Sequence, residues 1–218
     1  MSKPILIIGK SGSGKSRSIK NCDPKTTFII NVVGKDLPFK GWKASYKTQT
    51  IEVSGNIVSL DDPIKILSIL DYVSNKRKEI KIIIIDDFQY TMANEFMRRG
   101  KEKGYEKFTD IGLHAWGILD KSKQLRDDIF VVFLAHSDTN DMGETKCKTI
   151  GKLLDDKICI EGMFTIVLNT AYEDGKYFFE TQTNGQNTTK TPEGMFETLR
   201  IENNLQLVIN KIQEYEKE

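Results

Sequence analysis

The 218 residues carry 32 Lys and Arg against 31 Asp and Glu, a net charge of +1, with 39% hydrophobic and 29% charged residues. That balance excludes a whole-molecule field drawing the chain to a polyanion, so any nucleic-acid contact has to be a local patch. No apolar run approaches a membrane span, and three cysteines, odd in number and without C-x-x-C spacing, suit a reducing compartment better than a disulfide framework; the expectation is one cytoplasmic domain over residues 1–218 with free thiols.

The chain begins with Pro4-Ile5-Leu6-Ile7-Ile8, a short apolar run of strand type. Directly after it, Gly9-Lys10-Ser11-Gly12-Ser13-Gly14-Lys15-Ser16 meets the phosphate-loop pattern G-x-x-x-x-G-K-[ST] at every fixed position. Arg17-Ser18-Ile19-Lys20 then reads as the first turn of a helix, so strand, loop and helix come in the order the motif needs. Gly9, Gly12 and Gly14 admit backbone angles closed to other residues, letting successive N–H groups turn inward on phosphate oxygens. Residues 9–17 thus make a cradle for ATP, in which Lys15 meets the β- and γ-phosphates and the Ser16 hydroxyl ligates Mg²⁺.

After a break at Asp23-Pro24-Lys25, the β-branched run over 26–33 predicts a second buried strand. A punctuated loop follows over 34–42, then a weaker strand near 49–53. Asp61-Asp62-Pro63 opens a helix, with one aspartate as cap and Pro63 in the first turn; Ile64, Leu67, Ile69, Leu70 and Val73 give it an apolar face. Ile80-Lys81-Ile82-Ile83-Ile84-Ile85-Asp86-Asp87 is a nearly unbroken apolar strand ending in two carboxylates, the Walker B pattern. A strand buried on both faces belongs to a parallel sheet, whose C-terminal rim faces the ligand crevice. Asp86 is therefore placed to hold Mg²⁺ opposite Ser16. Asp87 is the nearest candidate to orient an attacking water, or else it caps the end of the strand.

The next stretch sets Arg98, Arg99, Lys101 and Lys103 among Tyr105 and Phe108. It reads equally as a nucleic-acid contact, with cations on phosphates and aromatics on bases, or as a solvated loop balanced by two glutamates. A helix is expected over 110–127 with Leu113, Trp116, Leu119 and Leu125 inward, and a buried strand over 129–135 ending in His136-Ser137. A polar residue at the tip of the strand beside Walker B can sense a γ-phosphate, or bond to nearby backbone; His136 is that residue, whereas His114, mid-helix, reads as structural. Residues 138–152 lack periodicity and form a second loop carrying Lys146, Lys148 and Lys152. Strands over 164–168 and 176–181, joined by Glu173-Asp174-Gly175, predict an antiparallel hairpin that ends the sheet, and a terminal helix spans 205–216. The fold class is α/β, a three-layer P-loop domain with a mostly parallel sheet between helices and its core over residues 4–196.

In this order, the phosphate loop, the Asp86-Asp87 strand end, the basic loop, the tip at His136 and the second loop resemble the ATPase core of the RecA-like recombinases. They look most like the short phage-encoded branch of nucleotide-binding proteins and single-strand annealing ATPases. The resemblance runs over residues 5–196 and includes the ending Thr189-Lys190-Thr191-Pro192-Glu193-Gly194-Met195-Phe196; its specific part is the phosphate loop. It implies a RecA-like sheet, ATP hydrolysis, single-stranded DNA binding in recombination or replication, and a ring or filament that works with single-strand-binding or replication proteins. It also implies that Arg98, Arg99, Lys101 and Lys103, then Lys146 and Lys148, line the DNA axis, and that Lys190 reaches the neighbouring subunit's ATP. One departure stands out: RecA-like enzymes carry a catalytic glutamate at the end of the second strand, where this chain reads Asn31-Val32-Val33-Gly34. Asp36, Glu52 or Asp87 substitutes, or hydrolysis is slow.

Other classes fit less well. A guanine-reading Asn-Lys-x-Asp is missing at Asn75-Lys76-Arg77-Lys78, and the arginines do not cluster in a late lid of the kind small-molecule kinases close over phosphates. An AAA+ loader or motor would prefer Glu at position 87 and a helical C-terminal domain. A nucleotide-gated assembly factor with little turnover is the non-enzymatic alternative.

Overall fold

The computed structural model describes residues 1–150, 154 and 158–217. Its strands are β1 (Lys3–Gly9), β2 (Thr27–Asn31), β3 (Ile57–Ser59), β4 (Ile82–Asp86), β5 (Phe130–Thr139), β6 (Thr145–Cys147), β7 (Ile166–Glu173), β8 (Lys176–Glu180) and β9 (Arg200–Glu202). Among the described residues these nine form one sheet ordered β3-β2-β4-β5-β1-β7-β8-β9, with β6 paired to β5. From β3 to β7 neighbours run parallel, while β7-β8-β9 and β5-β6 are antiparallel. This is the α/β P-loop fold, a mostly parallel sheet with antiparallel strands toward its C-terminal end.

The apolar runs explain the layers. Along β1, Leu6 and Ile8 face one side, where α2 (Pro63–Lys76), α3 (Gln89–Arg98) and α4 (Glu106–Lys123) pack. Ile5 and Ile7 face the other, covered by α5 (Leu205–Tyr215) and Ile19. A strand wrapped on both faces needs no alternation, and so Ile82 to Ile85 run unbroken. The register aligns Gly9 with His136 and Asn31 with Asp86, so the ends of four strands share one rim.

Several sequence expectations shift. The strand expected near 49–53 is a turn held by Thr50, with Ile51 and Val53 exposed; the pairing strand is β3, because Ile57 fits against Ile29. Asp62 is the cap of α2, accepting from the Ile64 and Lys65 N–H groups. That helix buries Ile66, Leu70 and Val73 and leaves Ile64 57% exposed. In α4 the inward face is Ile111, Ala115, Ile118 and Leu119; of the expected contacts Leu119 and Leu125 are buried, while Leu113 and Trp116 point out. Part of the loop expected over 138–152 is a hairpin built from β5 and β6; Gly151 and Lys152 lie outside the described residues. The Asp174-Gly175 turn joins β7 and β8 with both residues at positive φ, 49° and 78°, as a two-residue hairpin requires. Cys22, Cys147 and Cys159 form no disulfide. No helix among the described residues is long and apolar enough to cross a membrane.

One arginine closes the end of α2. Arg126 donates to the carbonyls of Val73, Ser74, Arg77 and Lys78 at 2.8 to 3.2 Å and to that of Ile80, and it pairs with Asp128. These carbonyls include groups that the helix leaves without N–H partners. Arg126→Ala is expected to cost about 3 kcal/mol, since several charge-assisted bonds to mostly half-buried carbonyls are lost together. Urea unfolding checks it; a loss below about 1 kcal/mol would mean that water serves those carbonyls equally well.

Candidate active site

β1 delivers Gly9 to the rim, where loop 9–16 turns. Gly12 and Gly14 occupy left-handed backbone at φ 77° and 105°, a region open to glycine at little cost. Gly9 is needed for a different reason: a Cβ there would stand 1.8 Å from Thr170 Oγ1. Thr170 of β7 donates to the Ile8 carbonyl at 3.2 Å and meets Ser13 Oγ at 2.5 Å, so β7 pins the loop from its side. After the loop the chain makes a six-residue 3-10 turn, Ser16–Asn21, where the sequence predicts the start of a helix.

Lys15 is 5% exposed and donates to the Gly9 and Lys10 carbonyls at 2.8 and 2.9 Å. Burial pulls its ammonium down to about 8, against Asp87 and Asp86, which work to keep it charged. Across from it Ser16 Oγ donates to Asp86 Oδ1 at 2.8 Å, while Asp86 Oδ2, fully buried, has no hydrogen-bond partner among the described residues. Burial first, then the neighbouring Asp87 charge, push the Asp86 carboxyl up to about 6; Ser16, Lys35 and Lys15 oppose this. An orphaned carboxylate oxygen beside a serine hydroxyl fits Mg²⁺, which takes few protein oxygens and fills its shell with water and phosphate.

Asp87 is 1% exposed with φ 64°, a left-handed conformation that aspartate tolerates better than most side chains. It forms an ion pair with Lys35, and His136 Nε2 lies 3.5 Å from its Oδ1. Burial and the charge of Lys15 lower the His136 pKa, favouring the neutral ring. β5 runs on past His136 to Thr139, and at His136 it is held by Gln89, whose Oε1 accepts the His136 backbone N–H at 3.1 Å. Lys35 keeps its proton more firmly than an ordinary lysine: burial opposes this, but its bond and attraction to Asp87 win.

A cleft of about 300 Å³ joins Lys15, Arg17, Lys35, Asp87, His136 and Tyr177. The structure thus brings together the loop, Asp86, Asp87 and His136. It also adds Lys35, Thr170, Gln89 and Tyr177, which sequence reasoning missed. Lys35 comes after Gly34 just beyond β2, a position read only for a missing carboxylate. Of the other carboxylates considered, Asp36 lines the cleft but is exposed and paired with Lys43 at 3.1 Å, while Glu52 sits on the exposed turn before β3.

The remaining candidates lie elsewhere. Lys190 exchanges backbone bonds of 2.8 and 2.9 Å with Val167 on the flank of β7 and does not line this cleft. Arg98 ends α3 paired with Asp61 at 2.6 Å. Arg99 is gripped by Glu95 at 3.1 Å and by Glu102 and Asp110 at 2.8 Å each, which hold its charge. Lys101, Lys103 and Lys148 are exposed, and Lys146 lies on β6. His114 is structural in effect, its Nδ1 3.0 Å from both oxygens of Glu95.

Compared with known families, residues 1–192 match a family model described as an AAA domain. No curated protein matches the chain.

Proposed function

The chain belongs to the AAA domain family, and on that footing we propose that it is an ATP- and Mg²⁺-dependent ATPase that binds single-stranded DNA in recombination or replication, assembled as a ring or filament. The family makes it a P-loop nucleotide-binding domain. The observation that carries the catalytic reading is the meeting of Lys15, Asp86, Asp87 and His136 at one rim, with β5 interposed between β1 and β4. Lys15 neutralises the β- and γ-phosphates, and Ser16 with Asp86 holds Mg²⁺, which supplies charge to the phosphate oxygens when bound. Asp87 accepts a hydrogen bond from water as that water adds to the γ-phosphorus and the bond to the β-bridging oxygen breaks, leaving ADP and phosphate. His136, neutral and beside Asp87, registers whether the γ-phosphate is present. Lys190 serves the adjoining subunit's nucleotide in the assembly.

Support for DNA contact rests on Lys101, Lys103 and Lys148 with Tyr105, which is 88% exposed and free to stack on a base. Arg98 and Arg99 are spent on carboxylates. ATP hydrolysis with and without a single-stranded oligonucleotide is the test, and stimulation by DNA is the expected result. The Lys101→Ala/Lys103→Ala pair should weaken binding and flatten its log–log salt slope by about 1.4, near 0.7 per phosphate contact. Unchanged affinity would remove the α3–α4 loop from the DNA surface, and turnover indifferent to DNA would remove the nucleic-acid role.

A second reading, a nucleotide-gated assembly factor, is favoured by Lys35, a cation paired with Asp87 beyond the end of β2, where the resembled enzymes carry a glutamate. Tight ATP binding without turnover would select it.

A further inference from the structure

The nucleotide reading can be carried to the nucleoside, and the step rests on that reading. The cleft has two ends. Lys15, Asp87 and His136 crowd one, which leaves the terminal phosphates there. Arg17 and Tyr177 form the other, and the same two residues line a second hollow of about 410 Å³ bordered by Lys176, Arg200 and Glu202. A triphosphate seated in the loop therefore directs its nucleoside toward Tyr177.

Flat groups are arranged there. The Arg17 guanidinium lies over the Tyr177 ring, 4.7 Å from its centroid, and Tyr172 packs against the same ring with centroids 4.6 Å apart. Asn203, 3% exposed, accepts from Arg17 Nη1 at 3.5 Å, while its Nδ2 has no hydrogen-bond partner among the described residues. Gly14 makes room for both: a Cβ there would stand 2.7 Å from Tyr177 Cδ1 and 3.2 Å from the Asn203 amide. Arg200, the other guanidinium at the hollow, is already held by Glu173 and Glu180.

We propose that the purine base of the bound nucleoside triphosphate stacks on the Arg17–Tyr177 pair, with Tyr172 backing the ring and Asn203 fixing the guanidinium. Base–aromatic stacking is worth about 1–3 kcal/mol, roughly a five- to hundredfold change in affinity. Calorimetry of the wild type, Tyr177→Phe and Tyr177→Ala, each with Mg²⁺ and either ATP or inorganic tripolyphosphate, separates base from phosphate. The expected result is a Kd for ATP raised by about tenfold or more in Tyr177→Ala and little changed in Tyr177→Phe, while tripolyphosphate binds all three within about twofold. Equal loss of both ligands in Tyr177→Ala would make the ring a mere prop for Gly14 and overturn the proposal, as would unaltered ATP affinity. Should the wild type bind neither ATP nor tripolyphosphate, the nucleotide site itself falls, and the base subsite with it.

Discussion

Lys15→Ala is expected to raise the Kd for Mg·ATP by at least about a hundredfold. In the folded chain this ammonium ties the Gly9 and Lys10 carbonyls together from inside the loop, at 2.8 and 2.9 Å. It is almost wholly out of water. Without it, a triphosphate would lose the buried cation that faces Asp87, and only Arg17 and Lys35 would remain as cations lining the cleft. Hydrogen bonds to charged groups are each worth about 1.5–3 kcal/mol, and contacts to two phosphates bring the loss past a hundredfold. Titration calorimetry reads it directly. Affinity within about threefold of the wild type would remove loop 9–16 from the nucleotide site.

Asp87→Asn is expected to lower turnover by about a hundredfold while ATP affinity stays within about threefold. Asparagine keeps the shape and occupies left-handed backbone at least as readily as aspartate, so φ 64° is preserved. What disappears is the charge facing Lys35 and His136 and the acceptor strength offered to water. Loss of a positioned base costs about 10²–10⁴ in rate. Single-turnover hydrolysis checks the rate; a value within twofold of the wild type would return the role to Asp36, which lines the same cleft.

How much of the fold and the site was legible in the chain depends on how local each signal is. The phosphate loop, the isoleucine run of β4, the Asp174-Gly175 turn and the Asp62 cap are each specified within a few residues, and the structure has them where the pattern puts them. The face of α4 was not, because Leu113 and Trp116 compete with Ile111, Ala115 and Ile118 for the same periodicity, and only packing against α2 and α3 decides. Lys35 and Thr170 reach the site from distant points of the sequence through sheet order, which a pattern cannot carry. The charges of Arg98 and Arg99 were visible, but the carboxylates that occupy them come partly from Asp61 and Asp110, beyond their own loop. The family match covers residues 1–192 with Asp, not Glu, at position 87, and past residue 192 the described chain adds β9 and α5.

β5 spans ten residues where its neighbour β4 has five. Its inner half is clamped between β1 and β4, and its outer half carries β6 through Ser137 opposite Cys147. An extended strand, already near full length at about 3.3 Å per residue, scarcely stretches. The hairpin beyond His136 is anchored on both sides: the Lys148 N–H donates to the His136 carbonyl at 2.8 Å and the Thr145 N–H to the Gln186 carbonyl at 2.7 Å, so backbone bonds tie the 186–187 segment to the strand that carries the residue beside Asp87.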